Sequence, residues 1–511
     1  MQVFAAKGLY SRNKNRNEMK IKSLFSLLLC LGAVACSVGA YDSFSLPGDA
    51  YVTNKDAGMM GEVPPSGGDS FDTIVENPFV KVADAPSSSF SVDADGAAYA
   101  YMRSCLNSGY LPGRHSVRIE EYLNYFTFDY ADPAGEETLA INAEVGPCPW
   151  KPEHLLLRLG LKGKSLQESE IPAANYILLV DVSGSMSGVD RIELLKTGLV
   201  NMVEYMRPQD RVAIITYSGS VKKLLESTLV SEGKADIQNA IKALYASGAT
   251  AGGEAMKMAY EEAAEHYIEG GNNRIVMCTD GDFNVGVSST EALVEMVESY
   301  QDKGIYLSIM GFGRGNYQDS RMENLSSHGN GTYTYIDSEE EMMKVFVQER
   351  SHFCTVANDT KCQVRFNAET VDSYRLIGYE NRVMSSEEFE DSKKDAGEIG
   401  AGQTVTALYE LIMKEGLSDS FSVGAFEARY KLSLKDEESR SLTQTLASGD
   451  VLTDNFNFAS AVAAFGLTLL DSEYKGEASI GLAYDLAKTA VGFDPGGYRA
   501  GFLRLLEAAK K

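Results

Sequence analysis

Residues 175–187 read NYILLVDVSGSMS. An apolar run ends in Asp181, and Ser183 and Ser185 follow at every second position. This spacing puts one carboxylate and two hydroxyls in the loop leaving the C-terminal end of a buried strand. In open α/β sheets, ligands bind at that edge. Two further segments carry matching groups. In YASGATAGGEAM (245–256), Thr250 stands at the entrance to a glycine-started helix; in CTDGDFN (278–284), Asp280 ends a second buried strand. Three hydroxyls and two carboxylates make an oxygen-only donor set of mixed charge. Such a set suits a hard cation, Mg²⁺ first, with Mn²⁺ or Ca²⁺ as alternatives, and leaves room for water and one outside ligand. Ser247 is a rival to Thr250, and Asp282 is a further carboxylate close in sequence to Asp280.

Catalytic patterns are weaker. Ser187, between Gly184 and Gly188, invites comparison with the nucleophile elbow of hydrolases. An elbow serine sits at the turn ending its strand, whereas Ser187 lies six residues past Asp181. The elbow also needs a downstream acid and histidine. His266 falls in a helical pattern, and His328, in SSHGNG, is the loop candidate. GFGRGN (311–316) lacks the third glycine of a dinucleotide fingerprint and reads as a tight loop. Phosphoryl-transfer sites place carboxylates on the metal beside a Lys or Arg clamp. Here Arg191 and Arg314 are isolated and read as solvated. The pattern therefore favours binding over catalysis, and no catalytic residue is assigned.

Around these loops the chain alternates strand and helix. Strand patterns at 175–183, 211–218, 274–280 and 305–313 are separated by helical ones, with Ser289 as a helix N-cap. This alternation predicts an α/β fold: a doubly wound, mostly parallel, Rossmann-like sheet. Residues 95–107 and 117–126 have helical spacing, and 139–146 and 154–163 alternate like strands. After about 353 the texture is β-rich, with DAGEIGAG (395–402) as a turn, and the last 60 residues are helical. The segments are 1–36 leader, 37–75 tether, 76–170 N-terminal α+β region, 171–353 α/β domain, 354–450 β-rich domain and 451–511 helical region. Whether the strands before 170 and after 353 join into one sandwich is left open.

The chain has 511 residues and a net charge of −25. Residues 1–35 carry a surplus of lysine and arginine, so the remainder is more acidic still. That balance argues against nucleic-acid binding, which needs cations facing phosphates. Lys20 and Lys22 precede an apolar stretch from Leu24 to Ala35 that ends in small residues, with Met19 a possible start. The stretch is too short to span a membrane and reads as a secretory signal. Ala33-Val34-Ala35-Cys36 resembles a bacterial lipobox, with Cys36 the lipidated residue; cleavage after Ala35 without lipid is the alternative. Cys354 and Cys362 are candidates for a bridge between neighbouring strands, and Cys278 reads as an inert core thiol.

DVSGS, the later Thr250 and TDG together closely resemble the metal-ion-dependent adhesion site of von Willebrand factor type A domains over about 173–353. The resemblance implies direct ligation by Ser183, Ser185 and Thr250. Asp181 and Asp280 would act mostly through bound water, and the open position would take an Asp or Glu carboxylate from a protein partner. Ala249 stands where many such domains have Ser, which removes a spare hydroxyl and no ligand. NPFVKVADAPSSSFSVDADGAAYAYMR, RIEEYLNYF, YRLIGYENR and TVTALYE resemble a bacterial family of exported or lipoprotein-type proteins with a central type A domain. The expected protein is an envelope adhesion or binding protein on a lipid anchor, with the outer membrane favoured because Ser37 follows Cys36. The alternatives are an envelope scaffold with a structural metal and, more remotely, a metal-dependent or serine hydrolase.

Overall fold

The computed structural model describes residues 69–92, 95–248, 253–281, 290–314, 319–417, 420–449 and 452–510. The leader, Cys36, Thr250, Asp282 and Ser289 lie outside the described residues.

The first flank contains β1 (Val80–Lys81), β2 (Ser87–Ser91), α1 (Ala97–Asn107), α2 (Ile119–Asn124), β3 (Leu139–Pro147) and β4 (Leu155–Gly163). Residues 69–75, expected to belong to the tether, take part in the fold. The Phe71 ring meets Tyr101 of α1 edge-on at 5.1 Å, and Tyr101 Oη donates to Asp69 Oδ2 at 3.1 Å.

The central domain follows the predicted alternation. It runs β5 (Ala174–Asp181), α3 (Ile192–Tyr205), β6 (Arg211–Tyr217), β7 (Val221–Leu229), α4 (Val230–Lys242), α5 (Gly253–Glu265) and β8 (Asn272–Thr279). It continues through α6 (Thr290–Gln301), β9 (Ile305–Phe312), α7 (Asp319–His328), β10 (Tyr333–Ile336) and α8 (Glu339–Met343). The strand order is β10-β9-β8-β5-β6-β7, parallel except for β7, which hairpins back on β6. Every residue of β5 and β8 is buried because helices cover both faces. Alternate residues serve the two cores: Ile177, Leu179, Ile275 and Met277 on one side, Leu178, Val180, Val276 and Cys278 on the other.

The second flank holds β11 (Thr355–Phe366), β12 (Val371–Ile377), β13 (Val383–Met384), α9 (Ser386–Glu390), β14 (Gly397–Gly400), β15 (Thr404–Met413), β16 (Ser422–Lys431) and β17 (Arg440–Ala447). Its strands interleave with those of the first flank. One sheet has the order β1-β12-β15-β4-β3 and the other β13-β2-β11-β16-β17. The pairings β4 with β15 and β2 with β11 are antiparallel and join residues more than 240 apart in sequence. The apolar faces of the two sheets meet in one core that includes Leu157, Leu159, Val364, Tyr409 and Phe426. Segments 76–170 and 354–450, set apart above, thus share both sheets. The stretch 395–402 is also more than a turn, since β14 pairs with β11.

α10 (Asp454–Leu469), α11 (Ile480–Lys488) and α12 (Tyr498–Ala509) cover the outer face of the first sheet together with α1 and α2. Gly466 permits this approach, because a Cβ there would lie 2.8 Å from Ile119 Cγ1. Buried ion pairs fasten the α/β domain to these helices. Arg103 Nη2 lies 2.5 Å from Asp337 Oδ1 and 2.6 Å from Glu341 Oε2, and Arg118 Nη2 lies 2.7 Å from Asp319 Oδ2.

Cys105, Cys148, Cys278, Cys354 and Cys362 are free thiols. The suggested Cys354–Cys362 bridge fails on geometry. Cys362 lies within β11 and Cys354 directly precedes it. At about 3.3 Å rise per residue, eight residues of extended chain separate them far beyond disulfide reach. Cys278 is fully buried and burial pushes its thiol up, as expected of an inert core cysteine.

Candidate metal centre

Parallel pairing of β5 with β8, in register through Val180 and Cys278, sets their last residues side by side. Asp181 and Asp280 therefore reach the same sheet edge, both buried. Asp181 Oδ1 accepts from Ser183 N at 2.8 Å, a local turn that folds the loop back over its own strand. Asp181 Oδ2 accepts from Thr279 Oγ1 at 3.4 Å, and Thr279 Oγ1 in turn accepts from Gly281 N at 3.2 Å. Burial raises the Asp181 carboxyl from the usual 3.8 to about 6. The hydrogen bonds from Ser183 oppose this rise, and the neighbouring Asp280 charge adds to it.

The loop after Asp181 is pinned at both ends. Val182 N donates to Tyr217 O at 2.9 Å, which extends the β5–β6 pairing by one residue. A single 3₁₀ turn over Gly184–Met186 then sinks Met186 into the core. Ser183 is buried beside its strand and Ser185 is exposed, with their Oγ atoms 2.9 Å apart. The second loop is stitched to the first. Ser247 N donates to Val182 O at 2.6 Å and Gly184 N to Gly248 O at 3.0 Å. Gly248 turns the chain with φ at +90°, a region that favours glycine. These bonds bring the segment leading into Thr250 onto the rim that holds Asp181, Ser183, Ser185 and Asp280.

The donor chemistry fits a small hard ion. The spacing of the two hydroxyl oxygens is also that of an ordinary O–H···O bond, so it permits joint ligation without demanding it. Neighbouring oxygens on octahedral Mg²⁺, each at ~2.0–2.1 Å, lie about 2.9 Å apart. Two buried carboxylates, one of them forced upward in pKa, supply negative charge that a cation would relieve.

Thr279 and Arg191 were not singled out as parts of this site. Thr279 is hidden in the sequence because it reads as one more strand residue. Arg191, expected to be solvated, has its Nε 3.9 Å from Asp280 Oδ2 and donates from Nη2 to Arg314 O at 2.7 Å. Arg314 Nη2 donates to Ser108 Oγ at 2.9 Å, so it is engaged as well. The histidines weighed for hydrolysis are occupied elsewhere: His328 Nδ1 lies 2.8 Å from Asn324 O, and His266 Nε2 lies 3.6 Å from Glu262 Oε1. The centre of the Gly184–Gly188 run is Met186, which leaves the elbow without its serine. Glu262, Glu265 and His266 also cluster, but Glu262 already accepts from Ser227 N and pairs with Lys223 Nζ at 2.6 Å.

Comparison with known proteins agrees with this architecture. Residues 175–349 match the von Willebrand factor type A domain, residues 65–158 a family described as von Willebrand factor, and residues 351–427 and 419–511 the C-terminal region of the uncharacterized protein YfbK. The uncharacterized protein YfbK of Escherichia coli (strain K12) is 37% identical over 460 residues, covering 85% of this chain and 80% of that protein. Inter-alpha-trypsin inhibitor heavy chain H3 of Pongo abelii is 27% identical over 262 residues, which is 47% of this chain and 29% of that protein. A solved von Willebrand factor type A structure from Catenulispora acidiphila aligns over 75% of this chain and 91% of its own, with a TM-score of 0.43 and 12% identity. The chain belongs to the YfbK family, with a von Willebrand factor type A domain set between its two flanking regions.

Proposed function

We propose that this protein is a cell-envelope binding protein that engages an Asp or Glu carboxylate of a protein partner through a divalent cation held at the β5/β8 edge. One observation carries this most directly. A buried, desolvated Asp181 stands beside two serine hydroxyls 2.9 Å apart, at the edge where α/β sheets bind ligands. Ser183, Ser185 and Thr250 would hold the ion, with Asp181 and Asp280 behind them. Bound there, the ion supplies a positive centre with an open position for an anionic oxygen. The oxygen-only donor set suits Mg²⁺ first, with Mn²⁺ or Ca²⁺ as alternatives.

The chain's own residues do the remaining work. Met186 anchors the first loop, the Ser247 and Gly248 bonds tie the second loop to it, and Thr279 orients the Asp181 carboxylate. Exposed Ser185 faces the approaching partner, while the other described members of the set stay shielded from water. Among the described residues one cation, Arg191, reaches the set, with its Nε 3.9 Å from Asp280 Oδ2, where phosphoryl transfer places a clamp on the phosphate beside metal-bound carboxylates. The protein is further proposed to be exported and held in the envelope, in the outer membrane, by lipid on Cys36; no described helix is long and apolar enough to cross a membrane.

A second reading has its own support. The type A domain is bolted to α1 and α2 by buried ion pairs, as a rigid scaffold would be. Affinity capture from native envelopes, with Mg²⁺ or with EDTA, separates the two. Adhesion through the ion predicts a partner retained only with Mg²⁺ and lost with Asp181→Ala or Thr250→Ala in folded protein. Capture that survives chelation, while chelation lowers stability, would favour the scaffold.

A further inference from the structure

We propose that Arg191 is a positioning residue that competes with the cation for Asp280 and so sets how tightly the site holds its ion. This rests on the proposal that the β5/β8 edge takes a divalent cation.

The side chain is seated, not loose. Arg191 precedes α3 with non-helical backbone angles, φ −129° and ψ −104°, and its side chain is only 21% exposed. Its Nε lies 3.9 Å from Asp280 Oδ2 and is buried, and its Nη2 donates to Arg314 O at 2.7 Å. The seat depends on a glycine. Gly313 has φ at +69°, and a Cβ there would fall 2.2 Å from Arg191 Nε and 2.8 Å from its Cζ. Arg314 carries the connection onward, with Nη2 donating to Ser108 Oγ at 2.9 Å just past the end of α1. The guanidinium is therefore held between the rim loop after β9 and the carboxylate at the end of β8.

The charge arithmetic gives this seat a purpose. Asp181 and Asp280 together carry two negative charges, enough to neutralise a divalent ion. With Arg191 in place the loaded site keeps one net positive charge, which an incoming carboxylate completes. The same positive charge repels the ion itself. Arg191 thus weakens cation binding alone and keeps the loaded rim attractive to an anion. A side chain with a purely structural role would have the opposite signature: its removal would loosen the rim and weaken the ion's hold.

Isothermal titration of Mn²⁺ into the full chain tests this through the sign of the change. Arg191→Met is expected to bind Mn²⁺ about tenfold more tightly than wild type, from the loss of one repulsive charge in a partly buried site. Arg191→Lys keeps the charge and is expected to stay within about threefold of wild type. Gly313→Ala is expected to tighten binding in the same direction as Arg191→Met, because it fills the seat without deleting the charge from the chain. Unchanged or weaker binding by Arg191→Met overturns the inference, as does equal tightening by Arg191→Lys. If Arg191→Met fails to fold, the other two variants decide: Gly313→Ala binding no tighter than wild type overturns it. Wild type that takes no Mn²⁺ overturns the cation site itself, and this inference with it.

Discussion

Asp181→Asn should make the cation-free protein more stable while destroying the site. The ordinary carboxyl value is 3.8 and the folded one about 6, chiefly through burial. At about 1.4 kcal/mol per pH unit, the ionised side chain costs the folded state about 3 kcal/mol at neutral pH. Because the folded state holds this proton more tightly than the unfolded chain, the penalty is absent below pH 3.8. It grows as pH rises through 3.8 to 6 and is complete above that window. Asparagine keeps an acceptor for Ser183 N, turns its NH2 towards Thr279 Oγ1 as a donor, and carries no charge. Thermal unfolding in EDTA should therefore show the variant gaining on wild type with rising pH, from near zero at pH 4 to about 3 kcal/mol at pH 7. Domains of 150–250 residues gain about 2–4 °C per kcal/mol, and a larger unit gains less, so a rise of a few degrees is expected. A variant less stable than wild type in EDTA at pH 7, or a difference that ignores pH, would refute this electrostatic reasoning.

Three other outcomes follow from the packing. Arg103→Met leaves Asp337 and Glu341, whose side chains are 5% and 2% exposed, without their shared cation. It should cost about 3–5 kcal/mol by urea denaturation, and a loss below about 1 kcal/mol would contradict the buried pair. Residues 76–170 expressed alone should give no cooperative unfolding transition, since β3 and β4 lack β15 and β12 beside them. A sharp transition from that fragment would show that the first flank folds independently. Reducing agent should leave the melting temperature unchanged, because the five described cysteines are free thiols; a drop would reveal a bridge.

The α/β domain was legible because its strands are short apolar runs punctuated by helical periodicity. The register of β5 against β8 then follows from parallel winding, which places Asp181 and Asp280 at one edge. The shared sandwich was open in the sequence, and the strand pairing that builds it was not legible. Both flanks showed strand alternation, but nothing in LLLRLGLKG indicates that its neighbour is TVTALYELIM, some 240 residues later. Arg191 escaped for a related reason. A lone arginine in a polar loop reads as solvated, and its seat depends on Gly313, which is remote in sequence and meaningful only once β9 delivers it to the rim. DAGEIGAG looked like a turn because glycine dominates it, yet those glycines let β14 lie close to its neighbours; a Cβ at Gly400 would fall 2.0 Å from His352 O.

Anomalous diffraction from Mn²⁺-soaked crystals tests the cation site most directly. We predict a peak within bonding distance of both Ser183 Oγ and Ser185 Oγ, about 2.2 Å from each, that disappears in Asp181→Ala. A peak seated instead at Glu262, Glu265 and His266, or no peak at all at millimolar Mn²⁺, would contradict it.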